Sequence, residues 1–321
     1  MARSILALAL GLALVQAAPA QDNYPTRPIV MVVGFAPGGG TDTVARIIAK
    51  KVGDSIGQTV VVENKAGAGG VVATDFVAHG AADGYTILLG SVGSLAVAPH
   101  LIAKLPYDPL RDLAPITMAV VFANVLVVQP SMPARTLAEF VQLAKASPGK
   151  ITYGSSGIGG AGHLAGELLE LTAGIDIVHV PYKGGGPAMQ GMLGGQVDAI
   201  FATPVSSGAQ IRAGKVRAIA TTGAKRSTYL PDVPTVAESG YPGYEATNWY
   251  AFMAAAGTPR EILARLHREL VQALAAPDVH EQLAKQGIEA QPGTPEELAN
   301  YIKRELETWG RVVREAKIQV N

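Results

Sequence analysis

Three strand-to-helix junctions in this chain carry runs of glycine, and such junctions bind anions through main-chain amides. The first is Phe35-Ala36-Pro37-Gly38-Gly39-Gly40-Thr41-Asp42, between the apolar run Ile29 to Val33 and a helix-patterned run, Thr43 to Val52. A glycine turn into a helix exposes N–H donors at the positive end of the helix dipole, so an anion can be held without Arg or Lys. Consecutive glycines at Gly38, Gly39 and Gly40 exceed what capping alone requires. Asp42 supports the first helical turn but repels an anion; its role is to orient the loop or to meet a ligand amine or hydroxyl.

The second junction, Gly154-Ser155-Ser156-Gly157-Ile158-Gly159-Gly160-Ala161-Gly162, satisfies G-x-G-x-x-G at Gly157, Gly159 and Gly162. A dinucleotide site also needs an acid ending the next strand, about 20 residues on, to bind ribose. That strand, Ile175 to Val180, ends in Pro181-Tyr182-Lys183, and Asp176 lies at its start. The preferred reading is a carboxylate on helix amides and on the Ser155 and Ser156 hydroxyls; the alternative is an NAD(P)-dependent oxidoreductase using the same turn. The third junction, Pro181-Tyr182-Lys183-Gly184-Gly185-Gly186-Pro187, adds an aromatic ring and a cation, although a loop lysine usually faces solvent. Asn64-Lys65-Ala66-Gly67-Ala68-Gly69-Gly70 serves either as a tight connection or as a contact. Ser91-Val92-Gly93-Ser94 and Thr203 bring hydroxyls to the same strand ends.

Catalytic groups are sparse. His79, His100, His163, His179, His267 and His280 form no H-x-x-x-H pair and no metal cluster, and no nucleophile elbow or phosphate-loop lysine is present. A hydrolase using Ser155 or Ser156 lacks an identifiable base, and His163 reads as a packed residue. No catalytic residue, metal or cofactor is assigned.

The elements that must position these loops alternate strand and helix. After the first pair come a strand at Thr59 to Glu63, a helix at Val71 to Ala78 and a strand at Tyr85 to Leu89. Later strands are expected at Asn124 to Val128, Ile151 to Tyr153, Ile175 to Val180, Val197 to Phe201 and Val216 to Thr221, with helices at Ala161 to Leu171 and Pro187 to Leu193. This alternation predicts mostly parallel sheets with the crevice at the strand carboxyl ends. Capping-box spacing is present at Thr136-Leu137-Ala138-Glu139, Thr258-Pro259-Arg260-Glu261 and Thr294-Pro295-Glu296-Glu297. Apolar stretches at Ile116 to Val128 and Trp249 to Ala256 read as two crossings between domains, with one domain over 24–121 plus 249–321 and the other over 122–248.

Residues 1–20 read as a cleaved secretory signal: Arg3, an apolar run from Ile5 to Val15, and Ala18-Pro19-Ala20. This implies export to the periplasm. The formal net charge is zero, and loss of Arg3 leaves the remainder one charge negative, against a nucleic-acid surface. Cysteine is absent, which excludes disulfides and thiolate chemistry.

The chain resembles the periplasmic solute-binding receptors of the tripartite tricarboxylate transporter, the Bug family. The likeness runs through Tyr24-Pro25-Thr26-Arg27-Pro28-Ile29, Phe35 to Gly39, Glu63 to Gly70 and Leu105-Pro106-Tyr107-Asp108-Pro109. It continues through Tyr153 to Gly157, Val180 to Gly184, Gly194-Gly195-Gln196-Val197-Asp198 and Leu230-Pro231-Asp232-Val233-Pro234-Thr235, spanning essentially all of the mature sequence. The resemblance implies a two-domain Venus-flytrap fold of periplasmic-binding-protein type II, a ligand carboxylate held by amides, hydroxyls and water, and a non-catalytic monomer that serves membrane permease subunits. By position, it implies ligand contacts from Phe35, Gly38, Gly39, Asp42, Ser91 and Ser94 in one domain. The other domain would contribute Ser155, Ser156, Gly157, Tyr182, Lys183, Gly184 and Thr203. Family ligands range over di- and tricarboxylates, acidic amino acids and aromatic acids. Gly40 stands where members often carry Pro, Ser or another small residue, and Ser91 to Ser94 falls in a variable loop, so the ligand stays open.

Overall fold

The computed structural model describes residues 24–315 and Ile318; the expected signal segment lies outside the described residues. The chain begins with β1 (Ile29–Val33), α1 (Gly40–Ile56), β2 (Val60–Asn64), α2 (Val71–Ala78), β3 (Thr86–Ser91), α3 (Ala98–Leu101) and β4 (Leu113–Ala123). It continues with β5 (Val125–Val128), α4 (Leu137–Ala146), β6 (Thr152–Ser155), α5 (Ala161–Ala173), β7 (Val178–Pro181), α6 (Gly185–Leu193), β8 (Ala199–Ala202), α7 (Pro204–Arg212) and β9 (Arg217–Thr221). β10 (Thr247–Ala255), α8 (Arg260–Ala275), α9 (Pro277–Ala284), β11 (Glu289–Ala290) and α10 (Pro295–Glu315) complete it.

The strands form two sheets, one of six strands in the order β11-β4-β10-β3-β1-β2 and one of five in the order β7-β6-β8-β5-β9. Each sheet with its helices is a lobe. The sheets are mixed rather than mostly parallel. β2, β1 and β3 run parallel, as do β7, β6 and β8, because helices return the chain between them. β10 pairs antiparallel with both β3 and β4, and β5 pairs antiparallel with β8 and β9. Asn124 alone separates β4 in one sheet from β5 in the other. The chain returns through the segment between β9 and β10, where Thr222 fastens the passage: its hydroxyl accepts from Asn124 N–H at 2.9 Å and donates to Ala246 O at 2.8 Å.

Local sequence explains the helices that carry the glycine loops. α1 buries Val44, Ala45, Ile48, Ala49 and Val52 against the first sheet, at helical spacing, and ends at Gly57 in the left-handed region. The capping boxes at Thr136 and Thr294 form, with Glu139 and Glu297 amides donating to the Thr hydroxyls at 3.2 and 3.1 Å. Before α8, Pro259 occupies the cap position, and the Thr258 hydroxyl donates to Ala255 O at the strand end, 2.8 Å away.

Candidate functional site

The glycine junctions meet between the lobes. Ala36 N–H donates to Lys183 O at 2.9 Å, joining the loop after β1 to the loop after β7. An inner cavity of about 20 Å3 lies beside this contact. Its walls are Phe35, Gly39, Gly40 and Thr41 from the start of α1, Ala161 from α5, Gly185 from α6 and Thr203 from the cap of α7. Ser91, Ser156, Asn248 and Tyr250 complete the lining.

The starts of α1, α5, α6 and α7 therefore converge on one small space. In α1 the first intrahelical bond runs from Thr43 to Gly39 O, leaving the amides of Gly40, Thr41 and Asp42 outside the ladder. In α5 the first such bond runs from Leu164 to Gly160 O, and in α6 from Ala188 to Gly184 O. Positive helix ends and unclaimed donors thus face one another across a space without a Lys, Arg or carboxylate in its walls. The space exceeds the about 10–15 Å3 that a water needs, so a small polar group can enter it. Burial pushes the Tyr250 hydroxyl well above the ordinary phenol range, so this wall stays neutral.

An outer cavity of about 200 Å3 shares Phe35 and Ser156 with the inner one and is lined also by Gly69, Ile158, Tyr182 and Lys183. A dry cavity of about 150 Å3 accepts benzene, so this chamber has room for the body of a small acid.

The thirteen positions expected to touch ligand divide into groups. Phe35, Gly39, Ser91, Ser156 and Thr203 line the inner cavity, and Gly157, Tyr182 and Lys183 join the outer one. Gly38, Asp42, Ser94, Ser155 and Gly184 line neither. Asp42 is buried and occupied: it accepts from Gly38 N–H at 3.0 Å, Asn64 Nδ2 at 3.0 Å and the Arg46 guanidinium at 2.9 Å. Burial opposes its charge, yet the Arg46 and Gly38 hydrogen bonds hold its carboxyl below the usual range. It shapes the loop. Ser94 Oγ points back to Ser91 O at 3.5 Å. Gly184 supports the approach of Ala36 from the other lobe.

Ser155 differs from expectation more sharply. The sequence offered it no base, but His179 Nε2 lies 2.7 Å from its hydroxyl. The sheet makes this pair: β6 and β7 align Tyr153 with His179 and Ser155 with Pro181. Ser155 is nonetheless fully buried and also bonded to Gly157 N–H at 3.1 Å, so it fixes the turn instead of presenting a nucleophile. His179 stacks on His163 at 4.0 Å between ring centres, and His163 Nδ1 accepts from Gly159 N–H at 3.0 Å. One buried and one half-buried imidazole thus hold the second glycine turn in shape from behind. Burial, then the neighbouring His163, pushes His179 down to about 3, so it is neutral at ordinary pH.

Behind them Tyr153 donates to Glu167 at 3.0 Å, and burial pushes the Glu170 carboxyl up to about 7. Its native form holds a proton that the unfolded chain has already lost, so Glu170 subtracts stability as pH rises from about 4.5 to 7. Glu170→Gln keeps an acceptor for Ile177 N–H and a donor toward Glu167. Its melting temperature is expected to match that of the parent at pH 4.5 and to exceed it by a few degrees at pH 8, in a melting series across that range.

The thirteen expected contacts leave out Gly40, Thr41, Ala161 and Gly185, which belong to the expected glycine junctions, while Asn248 and Tyr250 in the inner wall were missed altogether. The signal for the last two was present: two polar groups at alternate positions in an apolar strand share one face.

Residues 44–318 match the profile of the family described as Tripartite tricarboxylate transporter family receptor. The chain is 41% identical to Protein BugT of Bordetella pertussis over 97% of its own length and 96% of the relative. Its fold superposes with a TM-score of 0.89 on the periplasmic binding protein BugD, at 38% identity over 92% of this chain and 99% of that one. Two structures from Rhodopseudomonas palustris, each 34% identical, hold ligands. Rpa4515 with adipate matches at TM-score 0.89 over 92% of this chain and 99% of that one, and MatC with bound malate at 0.86 over 90% and 100%. The oxidoreductase alternative fails: β7 ends at Pro181, with Asp176 outside the strand, and the relatives are binding proteins.

Proposed function

The chain belongs to the tripartite tricarboxylate transporter receptor family, and we propose that it captures a small organic carboxylate between its lobes and releases it unchanged to membrane permease subunits. As a solute-binding protein of the TctC and Bug type it shares its fold with relatives that hold adipate and malate. The observation that carries the reading is the convergence of four helix starts on an inner cavity without charged side chains. An anion there meets preorganised N–H donors with little water to screen them, where hydrogen bonds to a charged group are strong.

The contact set we propose is Phe35, Gly39, Ser91, Ser156 and Thr203 around the head group, with Gly157, Tyr182 and Lys183 beside the rest of the molecule. Gly38, Asp42, Ser94, Ser155 and Gly184 hold the loops. The lobes, divided near residues 121 and 248, would move as bodies about Asn124 and the segment before β10. Closure is driven only by the ligand's greater affinity for the closed form. Absence of an acid, base or cation from the inner wall supports binding without chemistry. Export with removal of residues 1–20, and action as a monomer, belong to the same proposal.

Thermal melting against a panel of carboxylates tests it. At a free concentration 100 times its dissociation constant, a true ligand adds about 2.7 kcal/mol and raises the melting temperature by several degrees. Mass spectrometry after denaturation should return the ligand with its mass unchanged. No shift by any acid, with no acid released on denaturation, would reject the reading.

A further inference from the structure

The inner wall contains side-chain atoms that the protein leaves without hydrogen bonds. Ser91 is 5% exposed and Asn248 6%, both line the inner cavity, and Ser91 Oγ and Asn248 Oδ1 have no partner among the described residues. The Asn248 amide is engaged on its other side: Nδ2 donates to Asn124 Oδ1 over a long 3.4 Å. Asn124 is 1% exposed, and its Nδ2 is unpaired as well. A buried polar group left in this condition destabilises the fold, so the arrangement is completed by something that enters the cavity.

A carboxylate alone does not complete it. Its oxygens accept from Ser91 but cannot donate to Asn248 Oδ1. An ammonium group donates but cannot accept from Ser91, and its charge would sit among positive helix ends. A hydroxyl does both. The hydroxyl is required with the amide as it stands, Nδ2 on Asn124 Oδ1; reversed, with Nδ2 facing the cavity, a carboxylate oxygen would serve, and the paired acids below distinguish the two. Ser91 and Asn248 line the same small space as Gly39, Gly40 and Thr41, which places this hydroxyl on the carbon next to the carboxylate.

We propose that Asn248 and Ser91 are specificity-determining residues that read a 2-hydroxyl group, making this receptor selective for 2-hydroxycarboxylates over their deoxy counterparts. The proposal rests on carboxylate capture at the same site. It also ties recognition to closure. Asn248 lies on β10 and Asn124 at the junction of β4 and β5, so the two amides face each other where the chain passes between sheets. A hydroxyl that completes the Asn248 hydrogen bonds relieves a penalty borne by the ligand-free closed form, which is the differential affinity that closure needs.

The test is isothermal titration with matched pairs: malate and succinate, 2-hydroxyglutarate and glutarate, citrate and tricarballylate, mandelate and phenylacetate. For whichever pairs bind, the wild-type protein should prefer the hydroxy acid at least about tenfold, the equivalent of one lost hydrogen bond and its buried partner. In Asn248→Ala the preference should fall below about threefold because the hydroxy acid loses far more affinity than the deoxy acid, a split that a merely structural role would not produce. Ser91→Ala, a smaller change away from the crossing, should weaken both acids of a pair but the hydroxy acid more, and covers the case in which Asn248→Ala does not fold. Equal binding within the pairs, or a preference that survives both substitutions, would overturn the assignment and leave carboxylate capture standing. Failure of every acid to bind would overturn both.

Discussion

Gly69→Ala should weaken ligand binding about a hundredfold while leaving the ligand-free protein folded. Gly69 belongs to the short turn Ala68–Gly70 on the first lobe, and Ile158 belongs to the second glycine junction on the other. A Cβ on Gly69 would lie 2.3 Å from Ile158 O, closer than such atoms approach, so the lobes would have to part there. An obstruction that costs the closed form about 3 kcal/mol lowers apparent affinity by about two orders of magnitude, because only the closed form completes the site. Gly69 also has φ +63°, where an alanine costs about 1–2 kcal/mol of fold stability in either form. Titration calorimetry and ligand-free melting curves separate the two effects. A loss of stability with affinity kept within threefold would mean that closure at this contact is not required.

Asp42→Ala should cost about 2–3 kcal/mol of stability and weaken binding as well. The carboxylate gathers Gly38 N–H, Asn64 Nδ2 and Arg46, and Asn64 in turn donates to Phe35 O at 2.9 Å. Its removal leaves two inward-facing donors unpaired and the Gly38–Gly40 turn without its brace, at about 1–3 kcal/mol per abandoned group, softened by the exposure of Arg46. The pH dependence has a definite sign. Because the folded-state carboxyl is held below 3.8, its contribution is full above that pH and is lost as pH falls below it. Chemical denaturation at pH 7 and at pH 3 should therefore show a large difference between parent and variant at the first and a reduced one at the second. Equal differences at both would remove Asp42 as the brace.

Much of the fold was legible because strand, glycine turn and helix are local patterns. Val71 to Ala78 is a helix at its expected bounds, and the turns into α1, α5 and α6 are where glycine runs placed them. Strand direction was less legible. Parallel pairing follows from helical crossovers, but the antiparallel courses of β4, β10 and β5 depend on which sheet each strand joins after a connection as short as Asn124. At the site, the loops announced themselves through glycine and serine, whereas Tyr250 sits in an apolar stretch read only as a crossing and Asn248 just before its expected start. His179 became a partner of Ser155 through the register of β6 with β7, which no spacing along the chain encodes. Asp42 was legible in part: its charge argued against anion contact, and the structure supplied Arg46 and Asn64 as what it holds instead.

A crystal structure of the protein with the acid that raises its melting temperature most is the direct measurement. A carboxylate is expected in the inner cavity, with its oxygens within about 3.2 Å of first-turn amides from α1 in one lobe and from α5 or α6 in the other. A carboxylate bound to one lobe alone, or paired with Lys183 or Arg46 in place of the main chain, would contradict it.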